Sequence, residues 1–336
     1  MTGLHLRVGG YTSTMGGTAE GISLLRCDAD GTGLEIVGIT PTPSPSFLAS
    51  GATGVLYATD EFGTGEAGRI EAFRPGPGFA LEPLGGQPTS GGFPCHVSVT
   101  GDRLYVSNYH DGSIDIFPLA SDGVIGERIQ TLASRGSGPN PVQASPHAHA
   151  TLVRGSTILS ADLGADRVHV HSISGGSLER TASVLLPPGT GPRDLRSHDG
   201  RVILLGELRG TIFALDADGQ VIAAGTIADD WVDDDHAAAL ASDSSGTFLY
   251  TGLRGSNRIA VIRASDLCPV ATIPSGGDWP RHLCVIPGHG AGDMLLVANQ
   301  RSSTVTAFRI DPATGIPHPI GSPLDVASPT FLLPVL

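Results

Sequence analysis

At 336 residues, with 40% apolar residues and 47 glycines, the chain can bury a sizeable core and has turn residues enough to join many short strands. A formal net charge of −13 excludes the concentrated basic face that a nucleic-acid partner needs. Every basic residue is arginine, which excludes Schiff-base and other lysine-dependent chemistry.

Residues 1–8 (MTGLHLRV) read as a strand rather than an export signal. No long apolar run or lipidation motif follows, so a cytoplasmic protein without a membrane partner is expected. Cys27, Cys95, Cys268 and Cys284 are scattered without a C-x-x-C pair, against a disulfide framework or a zinc ribbon. Strand patterns at 5–10, 21–26 and 34–39 look like the later strands of a repeat that lacks its first. Whole repeats then open at Pro45, Pro94, Pro146, Pro192, Asp235 and Pro280, at a spacing of roughly 43 to 52 residues, the length of a four-stranded propeller blade. Their second strands fall at 55–58, 104–108, 157–160, 202–205, 248–251 and 295–299. Third strands follow at 69–73, 113–117, 167–171, 211–215, 258–262 and 304–308, alternating apolar and polar over β-branched runs. A last opening at Pro329 is a first strand with nothing after it. Six repeats and two complementary parts predict an all-β, seven-bladed β-propeller, one domain over 1–336. Pairing the N-terminal strands with the C-terminal strand would close the ring and remove free sheet edges. No apolar pattern of period 3.6 extends over three turns, which excludes a helical fold.

The blades differ where their first strands begin. Aligned through their apolar cores, they place His149, Arg193 and Arg281 at one register, where other blades carry Cys95, Ser46 and Thr330. Arginine keeps its charge and presents five donors, so two at one mouth of the channel would trap a carboxylate, a phosphate or a developing oxyanion. Glu207 ends the second strand of the blade that Arg193 opens, and the two are expected as near neighbours. His147 and His149 share a strand face. With no carboxylate or cysteine at ligand spacing they suit a base or a substrate hydrogen bond better than a metal. His169 and His171, on an outer strand, are expected at the surface, and His96 and His282 have an alternative place between blades. Residues 63–68 (GTGEAG) match a dinucleotide-binding pattern but join two strands, so a hairpin loop is expected. The DADG segments at 28–31 and 216–219 are expected hairpin turns rather than calcium loops. The acidic run 229–235 reads as a solvated loop, whose Trp231 is a candidate lid residue. No G-x-S-x-G elbow is present.

At these residues the chain resembles the lactonase family of seven-bladed propellers, which includes bacterial 6-phosphogluconolactonases and fungal carboxymuconate cyclases. The matching stretches are VGGYT at 8–12, PSFL at 45–48, PCHVSV at 94–99, SNY at 107–109, GPNP at 138–141, PHAH at 146–149, DLGADR at 162–167, GPR at 191–193, WPRH at 279–282 and ANQ at 298–300. The resemblance implies a catalytic group of His149, Glu207, Arg193 and Arg281, with His147, Arg254, His96 and Asn299 as substrate-binding residues and no cofactor or metal. It implies hydrolysis of a sugar lactone, 6-phosphogluconolactone first, with Glu207 or His149 as base and the arginines on the oxyanion or a substrate anion. The partner is then a small anionic or sugar lactone. The alternatives are a carboxymuconate cyclase-like lactonising enzyme, a hydrolase of an unphosphorylated lactone, and a non-catalytic binding scaffold. Asp194 and Gly206 depart from the histidine and asparagine usual in the family, and Asp194 weakens the positive field beside Arg193.

Overall fold

The computed structural model describes residues 4–28, 31–62, 68–174, 176–288 and 292–335. Residues 63–67 of the expected GTGEAG loop, and 29–30 of the first DADG turn, lie outside the described residues. In chain order the strands are β1 (Leu4–Gly10), β2 (Gly21–Cys27) and β3 (Leu34–Pro41), then β4 (Pro45–Ser50), β5 (Leu56–Asp60), β6 (Arg69–Pro75) and β7 (Leu81–Pro88). They continue with β8 (Pro94–Thr100), β9 (Arg103–Asn108), β10 (Ile114–Pro118) and β11 (Gln130–Leu132), followed by β12 (Ala148–Arg154), β13 (Thr157–Asp162), β14 (Arg167–Ser174) and β15 (Ser177–Leu185). Next come β16 (Pro192–His198), β17 (Arg201–Gly206), β18 (Thr211–Leu215) and β19 (Val221–Thr226), then β20 (Ala237–Ser242), β21 (Phe248–Leu253), β22 (Arg258–Arg263) and β23 (Cys268–Pro274). The last are β24 (Pro280–Ile286), β25 (Met294–Asn299), β26 (Thr304–Ile310), β27 (Pro317–Asp325) and β28 (Pro329–Pro334). They form seven four-stranded sheets, the number of blades expected. Among the described residues three 3-10 turns break the β pattern, and no helix is long and apolar enough to cross a membrane.

Strand chemistry changes across each blade. Second strands such as β5 and β25 are buried throughout, whereas fourth strands such as β3 and β19 are largely exposed. A strand packed on both faces reads as a continuous apolar run, and an edge strand carries polar residues and prolines that discourage further pairing. Pro317, Pro319 and Pro323 on β27 serve that purpose.

The described residues fall into two compact units. The first spans residues up to Pro41, Leu205–Ala214 and Val221 onward. In it β28 pairs antiparallel with β1, so the C-terminal strand completes the N-terminal sheet as expected, with Val8 opposite Leu332. Leu6, Val8, Leu25 and Leu332 pack with Met294, Leu296 and Val305 of the β24–β27 sheet. On that sheet's other side Tyr250 and Phe248 pack against Leu295, Val297 and Phe308. The second unit, Thr42–Leu204 with Leu215–Gln220, holds the β4–β7, β8–β11 and β12–β15 sheets. Tyr57, Val97, Leu104 and Phe117 join the first two of these, and Tyr105, Ile116 and Ile158 the last two. Each fully buried side chain of this size contributes about 1.5–3 kcal/mol. The tyrosines also find acceptors: Tyr57 donates to Gly123 O at 2.9 Å and Tyr250 to Gly315 O at 3.0 Å. The remaining sheet, β16-β17-β18-β19, contributes strands to both units.

One expectation is corrected here. His169 and His171 are not surface residues: on β14, between β13 and β15, they are 3% and 0% exposed. The alternation His-Val-His-Val-His suggests a solvated face, but a third strand packs on both faces. Ser160 Oγ lies 2.9 Å from His171 Nε2, and burial pushes the His171 pKa down to about 3. His169 lies between Ser134 Oγ (3.1 Å) and Ser183 Oγ (2.7 Å), 3.6 Å from Asp162.

Candidate active site

The register singled out in the sequence is where the first strand bulges. Pro94 pairs with Asn108 and His96 with Ser107, so Cys95 is the extra residue of a bulge between them. In the same way His149 is the extra residue between Ala148 and Ala150, and Arg281 the extra residue between Pro280 and His282. A bulge re-aims one side chain without breaking the sheet, and bulges gather beside active sites. A backbone hydrogen bond beside each bulge ties the residue after the second strand to the residue before the first. Glu61 N donates to Ser44 O, Tyr109 N to Phe93 O, Leu163 N to His147 O, Arg254 N to His236 O and Gln300 N to Trp279 O. These ties bring forward a second set of side chains, on loops that strand periodicity does not reach.

In the first unit that set surrounds Glu207. Its carboxylate is 8% exposed, 2.6 Å from Arg254 Nη2 and 3.4 Å from His236 Nδ1. Arg254 is held from below, its Nε donating to His236 O at 3.1 Å. Its guanidinium also lies 5.3 Å from the centre of the Trp279 indole. Just past Glu207, Gly210 has φ +58, and a Cβ there would lie 2.5 Å from the Trp231 ring. Trp231 thus packs against the turn that carries Glu207. Arg281 donates to Tyr11 Oη at 2.6 Å and to Gln300 Oε1 at 3.3 Å, with its guanidinium over the Tyr11 ring. These contacts account for the VGGYT, WPRH and ANQ stretches as one interlocked group. Asn299 has no exposed surface, and its amide donates to Thr306 Oγ1 at 3.1 Å. That bond anchors the end of β25, the strand that leads into Gln300.

In the second unit the Tyr109 ring stacks on His147 at 4.3 Å and 7°, with His149 edge-on at 6.0 Å. His147 Nδ1 lies 2.5 Å from Tyr109 O, an acceptor, so Nδ1 carries the proton and Nε2 presents its lone pair. Asp162 Oδ1 accepts the His147 backbone N–H at 2.9 Å. Burial would raise the Asp162 pKa, but hydrogen bonds from His169, Ser134 and the His147 backbone hold it below the usual carboxylate value. Asp166 accepts from Gly189 N (2.7 Å), Gly191 N (2.8 Å) and Gln143 Nε2 (2.8 Å), fixing the segment that leads into Arg193, itself 8% exposed. The GPNP, DLGADR and GPR stretches are thus tied together through Gln143 and Asp166 ahead of Arg193. His96 is a blade clip: its Nδ1 accepts Thr151 N at 3.4 Å, its ring packs on Phe47, and burial pushes its pKa down to about 3. His282 does the same with Leu332 N (3.2 Å) and Phe331. Both thus stand in the alternative place expected for them, between blades.

Glu207, Arg254 and Arg281 thus lie in the first unit, and His147, His149 and Arg193 in the second. Arg254 and His236 are partners of Glu207 within the first unit. Among the described residues no cluster of three His, Cys, Asp or Glu side chains is arranged to hold a metal. Sequence reasoning passed over Tyr11, Tyr109, His236, Trp279 and Gln300. Aligning the blades at the residue after the second strand, rather than through their apolar cores, would have found Tyr109, Glu207, Arg254 and Gln300 at equivalent positions.

Seven four-stranded antiparallel sheets, whose first strands bulge where the sequence departs from the apolar repeat, define a seven-bladed β-propeller. The chain belongs to the lactonase family of seven-bladed β-propellers, whose model matches residues 5–334. It is 27% identical over 328 residues to the 6-phosphogluconolactonase of Bacillus subtilis, covering 92% of this chain and 91% of that one. A 6-phosphogluconolactonase of Formosa agariphila is 28% identical over 293 residues, 80% of this chain and 82% of that one. The solved periplasmic gluconolactonase of Pseudomonas aeruginosa superposes with a TM-score of 0.91 at 28% identity, covering 99% of both chains.

Proposed function

We propose that the protein hydrolyses a sugar lactone, with 6-phosphogluconolactone as the first substrate to test. The observation that carries this reading is the buried Glu207 carboxylate, held 2.6 Å from Arg254 and 3.4 Å from His236. Opening a lactone needs an activated water and a donor for the tetrahedral oxyanion. Glu207 supplies a fixed acceptor for water, and Arg254 a guanidinium already oriented beside it. Arg281, braced by Tyr11 and Gln300, adds a second cation in the same unit. His149 and Arg193 are assigned to the same reaction by motif, His149 as the alternative base and Arg193 as an anion donor. His147 is assigned to a substrate hydrogen bond through its Nε2. The reaction needs neither a covalent nucleophile nor a metal. A single domain over 1–336 and a cytoplasmic setting complete the proposal. Cell fractionation tests the setting against the periplasmic location of the Pseudomonas relative.

The test is acid release from 6-phosphogluconolactone and from unphosphorylated gluconolactone, above the spontaneous background. Glu207→Gln is expected to lower kcat at least about 100-fold, the usual loss of a general base. Wild-type turnover in that variant assigns the base to His149, and His149→Gln then carries the loss. Alanine at Arg193 or Arg281 is expected to abolish rapid turnover. An inactive wild-type protein on both lactones refutes the hydrolase reading.

A further inference from the structure

Beside the Glu207–Arg254 pair stands an arginine that the lactonase chemistry leaves unused. Arg301 lies with its guanidinium 3.4 Å from the centre of the Trp279 ring, and the same indole receives Arg254 at 5.3 Å. One aromatic ring therefore bridges the guanidinium held by Glu207 and a second guanidinium outside it. Arg301 is exposed, and no carboxylate pairs with it among the described residues. The stack is built rather than incidental. Trp279 N donates to Asn257 Oδ1 at 2.8 Å, Gln300 N to Trp279 O at 3.0 Å, and Arg301 N to Asp278 O at 3.1 Å. Trp279 adopts φ +65 immediately before Pro280, as Phe93, Ser44 and Ser328 also take positive φ before the prolines that open other first strands, so the blade repeat itself presents the indole at this position. Stacking fixes the guanidinium plane and leaves its edge, with its donors, free to fork onto an anion.

We infer that Arg301, stacked on Trp279, is the specificity residue that reads a terminal phosphate or carboxylate on the substrate, while Glu207 and Arg254 act at the lactone. This rests on the lactonase reading of the same site, and it concerns binding alone. A charge-assisted contact on a pre-ordered guanidinium gives ground-state recognition, so its loss moves KM rather than kcat.

The experiment compares the full-length protein with Arg301→Ala and Arg301→Gln on 6-phosphogluconolactone and gluconolactone. The expected result is a rise in KM of about 10-fold or more for the phosphorylated lactone, as for the loss of one hydrogen bond to a charged group. Its kcat stays within about 2-fold, and neither constant changes for gluconolactone. Equal shifts on both lactones, or no shift on either, overturn the inference while leaving the hydrolase reading intact. A second measurement stands apart from turnover. The chain has two tryptophans, so Trp231→Phe leaves Trp279 as the sole reporter of the stack. Its fluorescence is expected to change saturably with 6-phosphogluconate or with glucarate, which carries a carboxylate at that end, but not with gluconate. The better of the two names the preferred anion. Loss of the response in Arg301→Ala supports the assignment even if the protein hydrolyses neither lactone, and an unchanged response in that variant refutes it.

Discussion

Among single residues, the histidines show how far environment outranks identity. His147 has its tautomer set by a carbonyl oxygen and keeps an accepting nitrogen for chemistry. His171, fully buried, and His96, packed between blades, both have their pKa pushed down to about 3. A folded-state pKa below the unfolded value of about 6.5 means that the unfolded chain binds the proton first. The stability contributed is fully present above about pH 6.5 and is lost as pH falls toward 3. His171 has no exposed surface and its Nδ1 has no partner, so a second proton there would bring an unsatisfied donor into the core. Replacing His171 with Gln is therefore expected to flatten the fall of unfolding free energy between pH 6.5 and 3 by about 1.4 kcal/mol per pH unit. Urea titrations across that range measure it, and a slope equal to wild type would place the acid sensitivity elsewhere.

For strands and turns, the bulge at the start of each first strand matters most. The repeat was legible as openings on proline because φ at that position is preset, and the shared register of His149 and Arg281 was legible because they interrupt apolar runs. That the interruption is a bulge was not legible, since a bulge depends on the partner strand as much as on its own sequence. The Glu207 turn offers a stability test at the same scale. Gly210 combines φ +58 with close contact to Trp231, so Gly210→Ala is expected to cost about 1–2 kcal/mol from backbone conformation, with steric cost added. A shift of that size in the denaturation midpoint, with unchanged slope, would confirm it. A neutral substitution would show that the turn relaxes.

At the scale of the whole chain, the pairing of β28 with β1 joins the two ends of the sequence in one sheet. Removal of residues 329–336 strips Leu332 from a core it shares with Leu6, Val8 and Leu296 and leaves β1 as an open apolar edge. The truncated protein is expected to lose its single cooperative unfolding transition and to associate. Size-exclusion chromatography and a denaturant titration check this, and a monomer with wild-type cooperativity would mean that closure is dispensable.

Local chemistry determined much by itself: period-two patterning set the strands, repeat spacing the blades, and the incomplete ends the closure. Break-points in the repeat marked Glu207, His149, Arg193 and Arg281 as the residues not needed for packing. Pairing and burial decided the rest. Whether a histidine is a surface residue, a clip or a base depends on what covers it, and His171, His96 and His147 separate on that ground alone. The approach of Arg254 to Glu207, and Trp279 between two guanidiniums, depend on contacts between blades. Such contacts join residues far apart in the chain, and no local pattern encodes them.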